Sequence, residues 1–163
     1  VVDMHQEDDD ANYSKPSREP NILDKLQKLA FENAKKKGWD EPLSEAKSFG
    51  DWVALMHSEI SEAYEDYRDG HKLNEIYFEF TNSQGTLKYS ADEVEELWVK
   101  EPWVKEPVFA ASLKPCGIPI EMADEVIRIL HLAEFAGFNL YNMIELKMQY
   151  NTRRSFRHGG KKT

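Results

Sequence analysis

Apolar residues recur at helical spacing in four stretches of the chain. Leu23, Leu26, Ala30 and Ala34 form one stripe behind Asn21, a capping residue, and Gly38 closes it. This pattern predicts a helix from Asn21 to Lys37. A second helix is predicted from about Ser48 to Asp69, ending at Gly70. A third starts at Pro119, suited to a first helical turn, and runs to about Ala136. A fourth follows Asn139 and reaches about Thr152, with the chain leaving helical form near Arg153. Between the second and third helices the period changes. Ile76, Phe78 and Phe80 alternate with Tyr77 and Glu79, and Asn82-Ser83-Gln84-Gly85 offers a turn before Leu87 and Tyr89, which predicts a β-hairpin. Ser90 and Glu93 form a capping-box pair for a short helix to about Val99. Trp98-Val99-Lys100-Glu101-Pro102 is then repeated as Trp103-Val104-Lys105-Glu106-Pro107, too few copies for a solenoid. The expected fold is an all-α bundle of four core helices carrying an inserted hairpin and short helix at about residues 71–115.

Composition adds to this picture. The chain has 163 residues, enough for one domain, with 40% hydrophobic and 31% charged positions, as a soluble core requires. No stretch has the length of uninterrupted apolar sequence that a membrane span needs, and no N-terminal segment is ordered like a signal peptide. The single cysteine, Cys116, excludes a disulfide framework and a multi-cysteine zinc site, and a cytoplasmic location is expected. Residues 1–20 are polar and acidic and are expected to be disordered, leaving 21–163 as the folded domain. The net charge is −9, yet residues 147–163 hold six bases and no acid. An acidic body repels a phosphate backbone, which argues against nucleic-acid binding.

The chemistry is in the carboxylates. With Met56 at the centre of the second helix's apolar stripe (Trp52, Ile60, Ala63, Tyr67), Glu59, Asp66 and Glu62 fall about 60°, 80° and 120° to one side. An unpaired carboxylate at the edge of a core is protonated, paired or bound to a cation. The positions one turn on from Glu59 are Glu62 and Ala63, and from Glu62 they are Glu65 and Asp66, so neither finds a base there. The third helix is apolar on most sides, which predicts a buried central element, yet it carries Glu121 and Asp124 on one face with Arg128. Glu121 also suits the positive end of that helix dipole, and Glu-x-x-Glu pairs are common on solvated faces. If the two helices pack side by side, four carboxylates converge, an oxygen-only set that suits Mg²⁺ or Mn²⁺. No Glu is followed three residues later by His, which argues against a carboxylate-bridged di-iron bundle.

These segments, "FGDWVALMHSEISEAYEDYRDG" (49–70), "GIPIEMADEVIRILHLAEFAGFNL" (117–140) and "KMQYNTRRSFRHGGKK" (147–162), resemble the MazG-like, all-α nucleoside triphosphate pyrophosphohydrolase family. With the first helix they cover roughly half of the chain. The resemblance implies Glu59, Glu62, Glu121 and Asp124 as Mg²⁺ ligands, with Glu62 doubling as the general base. It implies hydrolysis of a nucleoside triphosphate to monophosphate and pyrophosphate. It also implies Lys147 and Asn151 as a K-x-x-x-N phosphate element, followed by Arg154, Arg157 and Lys161. Trp52 suits stacking on a base or packing in the core. The departure from the family is the 58 residues between Glu62 and Glu121, where relatives have a short connection. Long surface insertions cost little closure entropy, so the helical core tolerates one. A helix pair cannot bury so apolar a third helix, so a homodimer or homotetramer is expected. Two other functions fit the residues. One is a non-enzymatic helical module that binds a protein through the duplicated strip and the tail. The other is a related hydrolase of another diphosphate-linked nucleotide.

Overall fold

The computed structural model describes residues 19–39, 48–100 and 112–154. Residues 1–18, the second copy of the duplicated strip, Arg157 and Lys161 lie outside the described residues. The described chain is mostly helical, in the order α1 (Ile22–Lys36), α2 (Phe49–Arg68), β1 (Tyr77–Asn82), β2 (Gly85–Ser90), α3 (Ala91–Lys100), β3 (Lys114–Cys116), α4 (Ile118–Phe135) and α5 (Leu140–Thr152). None of these helices is long and apolar enough to cross a membrane.

Capping residues set the helix starts. Asn21 and Asp24 exchange side-chain and backbone hydrogen bonds at 2.8 and 2.9 Å, and Ser48 and Asp51 do the same ahead of α2. Ser90 and Glu93 form the predicted box at α3. At the end of α2, Gly70 adopts φ 94° and the His71 N–H reaches back to the Asp66 carbonyl at 3.1 Å.

α4 is the central element, with α1 packed along one side and α2 along another. Small residues on α1 and α4 (Ala30, Ala34, Ala133) let those helices approach closely, and Trp52, Ala63 and Leu130 complete the buried seam. His131 joins it, its ring edge-on to Trp52 at 4.7 Å and to Phe31 at 5.9 Å. The buried Gln27 locks the α4–α5 turn. Its amide nitrogen donates to Glu134 and to the Phe138 carbonyl, both at 2.9 Å, and its oxygen accepts from the Leu140 N–H at 3.1 Å. Asn139 caps α5 and donates to Asp24 at 2.8 Å. α5 therefore starts fixed on α1, but none of its residues is buried. In the single chain α5 thus lies at the outside of the group formed by α1, α2 and α4.

Two sequence expectations are corrected. The buried stripe of α2 is Trp52, Glu59 and Ala63, while Ile60 and Tyr67 are exposed. The seam is thus turned about 40° toward the acidic flank. α4 is central but not enclosed, since Met122 and Val126 are each 48% exposed.

The inserted segment forms a three-stranded antiparallel sheet, in the order β2-β1-β3. The hairpin pairs Tyr77 with Ser90 through Asn82 with Gly85, and the Asn82 side chain accepts the Gln84 N–H at 2.8 Å in the turn. Tyr77 is the buried side chain of β1. Its ring stacks on His71 at 4.6 Å and its hydroxyl donates to Asp66 at 3.0 Å, which ties the sheet to the acidic flank of α2. β3 was not anticipated. It is an edge strand of three residues with Pro115 at its centre, a residue tolerated only at edges. It leads directly into α4 through Gly117, whose φ is 112°. A Cβ there would stand 2.4 Å from the Glu75 carbonyl oxygen. Gly117→Ala is accordingly expected to destabilise the protein by about 2 kcal/mol in urea unfolding, from backbone strain and this close approach.

Candidate metal centre

α2 and α4 bring Glu59, Glu121 and Asp124 together, with one carboxylate oxygen from each lying within 4.8 Å of the others. Glu59 is only 4% exposed and Glu121 5%, while Asp124 is half-buried. The turn of the α2 seam that buries Glu59 is what aims it at α4. Glu121 sits in the first turn of α4, where the helix dipole favours an anion.

Glu59 has a partner that no sequence neighbour supplies. Arg128 of α4 donates from Nε at 2.7 Å and from a terminal nitrogen at 2.5 Å, both to Oε1. Ser58 adds a long contact to the same oxygen at 3.4 Å. Oε2 of Glu59 accepts no hydrogen bond among the described residues, and neither the Glu121 nor the Asp124 side chain has a hydrogen bond or ion pair there. A buried carboxylate ordinarily has its oxygens satisfied. These oxygens keep some access to solvent, and as a set of hard oxygen donors they fit a divalent cation.

The electrostatics agree. The Glu121 carboxyl is pushed above its ordinary value, first by burial and then by the charge of Glu62, with Asp124 and Glu59 adding and Lys114 opposing. Glu62 is exposed and stands outside the close group, but its charge acts on Glu121. Glu125, one turn on from Glu121, is also pushed up, by burial and then by Glu59, with His57 and Arg128 opposing. One of its oxygens, Oε2, is buried without a partner. Sequence reasoning passed over Glu125, although its i+4 spacing from Glu121 puts it on the same helix face.

A raised carboxyl favours the protonated fold. In the metal-free protein its contribution to stability is complete below the ordinary value of 4.5 and is lost as pH rises through the raised one. Glu121→Gln is therefore expected to raise the melting temperature of the chelator-treated protein at pH 8 by about 2–4 °C, the equivalent of about 1 kcal/mol, and to matter less at pH 4. Melting curves at the two pH values check this; a lowered midpoint at pH 8 would show that Glu121 is stabilising as the anion.

The other expected site residues are dispersed. Trp52 is buried, 4% exposed, tilted against Phe135 at 5.8 Å. It also lines a largely apolar cavity of about 310 Å³ between α1 and α4, together with Leu26, Trp39, His131, Arg128 and Asp124. A candidate ligand, Asp124, is thus part of the cavity wall. Lys147, Asn151 and Arg154 are exposed on or just beyond α5, with Lys147 and Arg154 at 5.1 and 5.8 Å from the Tyr150 ring. α5 packs on α1, away from the α2 acids. Cys116 is a buried free thiol pushed up to about 11 by burial and by Glu79. No protein-family profile matches the chain, and comparison with characterised proteins and with solved structures gives no match.

Proposed function

We propose that this chain is a nucleoside triphosphate pyrophosphohydrolase of the MazG-like kind, dependent on Mg²⁺ or Mn²⁺. The observation that carries the reading is the meeting of Glu59, Glu121 and Asp124 from two helices, two of them buried, where among the side-chain oxygens only Oε1 of Glu59 accepts from a described residue. When bound, the divalent cation supplies the positive charge that lets carboxylates and a polyphosphate share one site and makes a water more acidic. Glu59, Glu121 and Asp124 would hold it. Arg128 fixes the rotamer of Glu59 through Oε1. Glu62, at the exposed edge, takes the proton of the attacking water. The water oxygen bonds to phosphorus, the α–β anhydride bond breaks, and the electron pair leaves with pyrophosphate, giving a nucleoside monophosphate.

The cavity beside Asp124 takes the nucleobase, with Trp52 and Trp39 as its aromatic walls. Lys147, Asn151 and Arg154, with Arg157 and Lys161 beyond the described residues, meet the phosphates in a homodimer or homotetramer. The unburied apolar rows Ile60–Tyr64–Tyr67 on α2 and Met122–Val126 on α4 support such an assembly. The lone, buried thiol of Cys116 suits a cytoplasmic setting.

The test is incubation with Mg²⁺ and a panel of ribo- and deoxyribonucleoside triphosphates, nucleoside diphosphates and nucleotide sugars, with products resolved by anion exchange. Monophosphate and pyrophosphate in equal amounts from a triphosphate are expected. Orthophosphate alone excludes the reaction. Turnover of nucleotide sugars or diphosphates only would assign a related hydrolase. No turnover, with no Mg²⁺-dependent thermal shift, would favour the interaction module.

A further inference from the structure

The inserted sheet stands beside the acidic centre. Its strand β1 is tied to α2 by the Tyr77–Asp66 hydrogen bond, one turn from Glu62. Its strand β3 runs into α4 through Gly117, whose carbonyl accepts the Glu121 N–H at 3.1 Å. These two attachments hold the first residue of β3, Lys114, near carboxylates of both helices. Its ammonium group is held above its ordinary value: partial desolvation opposes the charge, and Cys116, Glu121, Glu62 and Glu79, in that order, outweigh it.

The obvious local partner is already engaged. Lys114 stands opposite Glu79 in the β1–β3 register, but Glu79 pairs with Lys88 at 3.3 Å on the other side. Lys114 itself is exposed and makes no ion pair or side-chain hydrogen bond with any described residue. Arg128, the other cation at the centre, is committed to Glu59. Lys114 thus stands on the sheet face that Tyr77 turns toward α2, and no described carboxylate pairs with it. A polyphosphate entering the acidic site carries charge beyond what the bound cation compensates, and an unengaged ammonium group is the donor that meets it.

We propose that Lys114 is a phosphate-binding residue contributed by the insertion, contacting the β- or γ-phosphate of the substrate above the carboxylate centre. This rests on the pyrophosphohydrolase reading and gives the insertion a part in substrate binding. The role is specific to the phosphates, so it separates from a structural role of the strand.

The experiment is calorimetric titration of wild type, Lys114→Gln and Lys114→Arg with Mg²⁺ alone, then with the Mg²⁺ complex of an α,β-imido nucleoside triphosphate, then with the parent nucleoside. Lys114→Gln is expected to bind Mg²⁺ at least as tightly as wild type, since a competing positive charge is gone. It is expected to bind the imidotriphosphate about tenfold more weakly, the loss of one charge-assisted hydrogen bond, and the nucleoside unchanged. Lys114→Arg should recover most of the affinity. Equal imidotriphosphate binding by wild type and Lys114→Gln overturns the proposal, as does an equal loss for the nucleoside. If Lys114→Gln does not fold, Lys114→Met replaces it under the same criteria. A wild type that binds Mg²⁺ but no triphosphate overturns the pyrophosphohydrolase reading together with this one. A wild type that hydrolyses triphosphate, matched by Lys114→Gln in affinity, removes only the lysine.

Discussion

Asp124→Asn is expected to lower kcat/KM for triphosphate hydrolysis by about a thousandfold while leaving unfolding free energy within about 0.5 kcal/mol of wild type. Asp124 is the one member of the close carboxylate group that is not buried. Its side chain has no hydrogen bond or ion pair among the described residues, and it is half-buried, so an amide of the same shape removes charge without orphaning a partner. Its place in the wall of the cavity also makes it the ligand nearest the proposed base pocket. Losing one anionic ligand forfeits several kcal/mol of transition-state stabilisation, and each 1.36 kcal/mol is about a factor of ten. Steady-state pyrophosphate release and urea unfolding on the same preparation check both halves. Activity within about tenfold of wild type would remove Asp124 from the centre.

The helices were legible because their ends are chemical. Asn21, Ser48, Ser90 and Asn139 each place a side-chain acceptor where the first turn has free N–H groups, and the observed starts follow them. The hairpin was legible from its alternation and turn, although its buried residue is Tyr77 because Asp66 and His71, outside the hairpin, recruit that ring. β3 was hidden because three residues with a central proline carry no strand signal, and its pairing with β1 depends on where α4 begins. The face of α2 was misjudged for a related reason. A helical wheel assigns Glu59 to the flank because a carboxylate prefers water, but Arg128, 69 residues away, supplies the counter-charge that lets it enter the seam. The ligand group was half legible. Spacing places Glu121 and Asp124 on one face and the wheel sets Glu59 nearer the core than Glu62, but both were expected in one group, and it is the turn of the α2 seam that leaves Glu62 outside it. Lys114 had no signal at all, since its position depends on the sheet docking against α2.

Arg128→Met is expected to destabilise the metal-free protein by about 3 kcal/mol, lowering its melting temperature by about 6–12 °C. The buried pair is strong evidence of dependence between its members, because removing one leaves the other as an uncompensated charge in the seam. Arg128 keeps some contact with solvent, its side chain being 28% exposed against 5% for Glu59, which places the effect at the lower end of what such breaks cost. The informative part is the response to Mg²⁺. In the proposed centre the guanidinium and a divalent cation would draw on the same carboxylate, which Arg128 holds through Oε1. With Arg128 gone, the cation becomes the sole source of positive charge for Glu59, so binding and folding become more tightly linked. The Mg²⁺-induced rise in melting temperature should therefore be larger in Arg128→Met than in wild type, recovering part of the lost stability. Glu59→Gln in the Arg128→Met background should abolish that rise and restore stability in chelator, because the buried charge is then absent. A metal response equal in wild type and Arg128→Met would mean that Glu59 belongs to the arginine alone, and the divalent centre would lose one of its two buried ligands.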